Sequence, residues 1–119
     1  MFWKKKTTNK VNNQAKNYYF CSGEYNNKYP ISEDEQKFLD ALYEKTKLVK
    51  GLFFKLDRMS NGTIAVSTSE GCVGKIRLCK QKHWMMIFTS LYDHEIIEGS
   101  LDDFIQAIDL WIKYIKKYL

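Results

Sequence analysis

Two cysteines and a histidine fall within a dozen positions in GCVGKIRLCKQKH, as Cys72, Cys79 and His83. Thiolate and imidazole are the ligands of structural zinc and the two halves of a thiol nucleophile, so the stretch invites a metal site or a reactive thiol. A second cluster follows in YDHEIIEG, where Asp93, His94, Glu95 and Glu98 are residue types that hold a divalent ion for hydrolysis.

Spacing weakens both. On one strand, the odd separation of Cys72 and Cys79 puts them on opposite faces, about 23 Å apart at ~3.3 Å per residue. That excludes a shared metal and a disulfide. Cys79 and His83 flank a three-residue loop and can face each other. Two ligands do not close a zinc site, however, and no third group orients the imidazole for catalysis. Extended backbone likewise splits the acids, Asp93 and Glu95 to one face, His94 and Glu98 to the other. No C-x2-C, P-loop or G-x-G-x-x-G occurs. The sequence therefore names no catalytic residue, metal ligand or cofactor, and a non-enzymatic protein is expected.

The elements that position these groups are clearer. Ser32 with Glu35 three residues on is a capping box, and Glu33, Asp34 and Glu35 complement a helix N-terminus. Phe38, Leu39, Leu42 and Tyr43 make one apolar face, which predicts a helix over 33–47 that Gly51 closes. Strand signals follow at 52–59, 63–69, 72–79 and 83–91, with Asn61-Gly62 and Glu70-Gly71 at turns, and HEIIEG adds a short fifth. Short turns between consecutive strands require an antiparallel meander. Alternation points Leu52, Phe54, Leu56, Ile64, Val66, Ile76, Leu78, Trp84, Met86 and Phe88 inward. Lys55, Asp57, Thr63, Ser67, Lys75, Arg77, Cys79, His83 and Met85 then point outward. WMMIF is apolar at both parities, which marks it as the most buried strand.

Ser100 and Asp103 repeat the capping box ahead of a wide stripe from Leu101 to Ile115, a last helix that should lie across the inner face. The expected fold is a two-layer α+β domain, α-β-β-β-β-α, with a four- to five-stranded antiparallel meander flanked by an N-terminal and a C-terminal helix. Residues 30–119 form this single domain. Residues 1–29, which hold six of the seven asparagines, are read as a polar tail or arm, mobile over 1–16, in which NYYFCSG docks or makes a short edge strand.

Charge bounds the partners. Lys4, Lys5, Lys6, Lys10 and Lys16 stand without an acid in residues 1–16 and equal the chain's whole net charge of +5, so the body is electroneutral. The strongest binding pattern is a cationic sheet face and hairpin, Lys55, Lys75, Arg77, Lys80, Lys82 and His83, together with an aromatic anchor at Tyr18, Tyr19 and Phe20. Its leading reading is a small interaction protein that takes a protein partner on the polar sheet face and the N-terminal arm. The alternatives are nucleic-acid binding by the basic tail and the Lys75–Lys82 hairpin, and a small metal-dependent hydrolase or nuclease. Phe2 and Trp3 beside three lysines supply at most weak contact with an anionic bilayer, at ~1 kcal/mol per cation. Leu110, Tyr114 and Tyr118 exceed what one helix face needs, which suggests a homodimer through the C-terminal helix.

Three cysteines, an odd number, and the absence of an apolar h-region after MFWKKK favour a cytoplasmic protein. The Lys/Asn/Tyr/Ile bias points to a low-GC bacterium or one of its phages or mobile elements, whose accessory factors or inhibitors are a natural subtype of the leading reading.

Overall fold

The computed structural model describes residues 16–79 and 81–119. Its first element is a short strand, β1 (Tyr18–Phe20), followed by a single turn of helix, α1 (Tyr25–Lys28). The main N-terminal helix α2 (Glu33–Thr46) starts where the capping box places it. Ser32 Oγ accepts from the Glu35 N–H at 3.1 Å, and Glu35 Oε1 accepts from the Ser32 N–H at 3.0 Å. Five strands then run as a meander: β2 (Phe54–Arg58), β3 (Ile64–Thr68), β4 (Gly71–Arg77), β5 (Trp84–Phe88) and β6 (His94–Glu98). The chain closes in α3 (Leu101–Tyr118), opened by the second capping box at Ser100 and Asp103. The fold is thus mixed α+β, as expected.

Sheet order is β1-β2-β3-β4-β5-β6. All neighbours are antiparallel except β1, which pairs parallel with β2 in the register Tyr18↔Phe54, Tyr19↔Lys55 and Phe20↔Leu56. The aromatic segment Tyr18–Phe20 therefore enters the sheet, at its edge among the described residues. The expectation for residues 1–15 lies outside the described residues. Turn chemistry sets the first hairpin: Gly62 has φ +88° and donates to the Met59 carbonyl at 2.9 Å, the left-handed conformation a three-residue loop requires.

Both long helices lie on one face. Phe38, Leu39 and Leu42 of α2 and Phe104, Ile108 and Trp111 of α3 close over Phe54, Leu56, Ile64, Val66 and Ile76. Each large apolar side chain so buried contributes about 1.5–3 kcal/mol. Trp111 fixes the height of α3. Its indole N–H donates to the Met86 carbonyl at 3.0 Å, and its ring occupies the space a Cβ on Gly74 would take. Only glycine lets helix and strand approach so closely.

Two parity expectations fail. In β5 the core residues are Met85 and Ile87, both buried against the helices, while Trp84 and Met86 face the other way. The register decides this, because Met85 sits opposite inward-facing Ile76 and Trp84 opposite Arg77. Phe88, at the strand's end, reaches the helix layer and stacks on Tyr114 with ring centroids 5.3 Å apart. The second failure is in β4. A bulge makes Ser67 pair with Cys72 but Val66 with Gly74, so Val73 is an extra, buried residue and alternation resets there. Cys72 consequently shares a side with Lys75 and Arg77. It is distance along the strand that keeps it from Cys79.

Candidate interaction surface

The sheet face opposite the helices carries no packed element among the described residues, and alternation along each strand fixes what it displays. Tyr19 on β1, 57% exposed, begins the row, followed by Lys55 and Asp57 on β2 and by Ala65 and Ser67 on β3. Next come Cys72, Lys75 and Arg77 on β4, then Trp84 and Met86 on β5, then His94, Ile96 and Glu98 on β6. The cross-strand pairs Arg77↔Trp84, Lys75↔Met86 and Met86↔Ile96 set an apolar row of Trp84, Met86 and Ile96 between a cationic flank and the strand edge. Ile96 is 53% exposed and Trp84 half-buried, while Met86 between them is buried, with 9% of its surface exposed.

Charge on this face is graded. Lys55, Lys75 and Arg77 lie toward the β2–β4 side, with Lys82 exposed in the following loop and His83 half-buried before Trp84. Asp57 stands among the cations, and Glu98 lies at the far edge. Lys80 lies outside the described residues. Of the three aromatic residues read as a partner anchor, only Tyr19 projects from this face. Tyr18 and Phe20 lean on the core, and the Phe20 ring lies 5.8 Å from the Arg58 guanidinium.

The thiols are scattered. Cys72 Sγ lies 3.7 Å from the Val66 carbonyl and Cys79 Sγ 3.9 Å from that of Asn61, at opposite ends of β4. Cys21 follows β1. Burial, then the Asp57 carboxylate beside it, pushes its thiol pKa up, which disfavours the thiolate a nucleophile needs. The 93–98 cluster divides as alternation requires. His94 and Glu98 share the uncovered side and Glu95 faces the other, while Asp93 closes the β5–β6 turn by accepting from Thr89 and donating to Ser90 Oγ. Among the described residues, no group of three or more His, Cys, Asp or Glu is placed to hold a metal ion.

Two features lie beyond the sequence reading. Glu35 and Arg58 form a bidentate ion pair whose side chains are 1% exposed, and Arg58 Nη1 also donates to the Gly62 carbonyl at 2.9 Å, tying the α2 cap to the β2–β3 hairpin. Alternation with Phe54 and Leu56 was the available signal for an inward Arg58. The second is a cleft of about 310 Å³ beside the β5 end, lined by Phe88, Tyr114 and Tyr118 with Lys113, Lys117 and Glu95 at its rim. Tyr114 is thereby consumed by the fold, stacked between Phe88 and Tyr118, and of the helix residues singled out for dimerisation Leu110 stays largely exposed.

No helix among the described residues is long and apolar enough to cross a membrane. No protein-family model, curated protein or solved structure matches this chain.

Proposed function

We propose that this chain is a non-enzymatic, cytoplasmic interaction protein that docks a protein partner on the helix-free face of its sheet. The observation that carries the reading is the row Trp84–Met86–Ile96 lying beside Lys75 and Arg77. Half-buried Trp84 and exposed Ile96, on either side of the buried Met86 and beside charged side chains, have the anatomy of a protein interface, an apolar centre with a polar rim. Tryptophan and arginine are also the side chains that most often dominate binding energy. The cationic flank selects a partner with an acidic surface next to an apolar patch. An accessory factor or inhibitor from a phage or mobile element fits this chemistry.

A nucleic acid is the competing ligand, and its best support is the same corner, where Trp84 offers a stacking surface between Arg77 and the loop lysine Lys82. Salt and mutation separate the two. The full chain, tagged, is used to capture partners from a nuclease-treated bacterial extract at high salt. A protein retained by the wild type and lost from both Trp84→Ala and Arg77→Glu supports the proposal. Retention indifferent to both variants overturns it. Binding of single-stranded DNA or RNA that weakens steeply with salt, with no protein retained, transfers the face to nucleic acid.

A further inference from the structure

From the register of the last hairpin we infer that strand β6 pairs with β6 of a second copy of this chain, antiparallel about a two-fold axis at Ile96, to make one continuous sheet. The inference does not rest on the proposed protein partner. The described sheet ends at β6, with no strand beyond it. The Thr89 N–H donates to the Asp93 carbonyl at 3.0 Å, which makes Thr89 and Asp93 a hydrogen-bonded pair. Bonding alternates along an antiparallel ladder, so Glu95 and Ile97 direct their N–H and C=O groups at β5. His94, Ile96 and Glu98 therefore turn theirs to the free edge, a row of donors and acceptors that a further strand can satisfy.

Which strand fits is written in HEIIE. Folded on itself about Ile96, the segment places His94 opposite Glu98 of the second copy, Ile96 opposite Ile96, and Glu98 opposite His94. All three are edge-directed positions, so the ladder closes without an unpaired group. Exposed edges are usually guarded by charges that repel a second copy. Here the guards are complementary, an imidazole facing a carboxylate twice. Apolar surface agrees, because Ile96 is 53% exposed on one side of the strand. Leu110 of α3, 47% exposed, lines the cleft with Glu95 on the other side. Pairing would carry the Met86–Ile96 row across the axis into Ile96 and Met86 of the second copy.

The test is sedimentation equilibrium of the full chain, with the folded state checked by thermal unfolding. Wild type is expected to form a dimer populated at about 100 µM. His94→Glu sets two carboxylates face to face at both ends of the pairing and is expected to weaken the dimer roughly tenfold or more. The double variant His94→Glu/Glu98→Lys restores opposite charges across the axis and is expected to recover it. A wild type that stays monomeric to about 1 mM overturns the inference. A dimer unaffected by His94→Glu also overturns it, as does a double variant that remains dissociated while folded.

Discussion

The two sides of strand β5 present nearly the same residues to opposite surroundings. Met85 and Ile87 are sealed under α3, while Trp84 and Met86, one position out of phase, face away from α2 and α3. Nothing in WMMIF distinguishes them, since each is apolar. The distinction comes from the facing strand, where Ile76 opposes Met85 and Arg77 opposes Trp84. A strand that is apolar at both parities takes its orientation from its neighbour's alternation, and the leftover apolar side then lies on the sheet face away from α2 and α3.

That contrast is open to direct attack. Met85→Lys would bury an ammonium with no partner, at a cost of several kcal/mol against a total stability of about 5–15 kcal/mol. Loss of the cooperative urea transition is expected. Ile96→Lys lies on the other side, at a position 53% exposed, where the lysine stem can lie along the sheet face with its ammonium in water, and a transition close to wild type is expected. Equal damage from the two would erase the difference between the faces.

The next largest effect probes the polar exception on the covered side. Arg58→Met leaves the Glu35 carboxylate buried and deprived of its guanidinium, and should cost about 3–5 kcal/mol by urea denaturation. Glu35 would still accept from the Ser32 N–H, so Arg58→Met/Glu35→Gln, which keeps that bond without the charge, is expected to regain part of the loss. A double variant no better than the single one would mean that the pair matters through shape and not through charge.

The smallest effect belongs to the exposed cap of α3. The Ser100 backbone N–H, and then its hydroxyl, hold the Asp103 carboxyl below the ordinary aspartate range. A lowered folded-state pKa contributes stability that is present above the ordinary aspartate range and is lost as pH falls through the lowered value. Asp103→Asn should therefore flatten the acid limb of Tm against pH by lowering Tm slightly at pH 7 while leaving it unchanged at pH values below the lowered pKa. An unchanged acid limb would remove Asp103 from the account.

Legibility followed the range of the forces involved. Both helix starts were readable because a capping box is complete within four residues, Ser32 to Glu35 and Ser100 to Asp103. The meander and its Asn61-Gly62 turn were readable for the same reason. The parallel pairing of β1 was not, because it joins Tyr18 to Phe54 across the whole of α2. The Val73 bulge was hidden too, since one inserted residue changes no local propensity yet moves Cys72 to the side of Lys75. Of the surface, Lys55, Lys75 and Arg77 were found by alternation alone. Trp84, Met86 and Ile96 needed the registers of β4, β5 and β6 together.

The parallel pairing of β1 has a kinetic consequence. Each rung of the meander closes a short loop, whereas the three rungs of β1 wait until α2 has docked and β2 is in place, so their loop-closure entropy is met last. The arm that carries Tyr19 is thus the final piece to assemble and the first to open, and amide exchange should reach Tyr18–Phe20 well before it reaches β4 at the middle of the sheet.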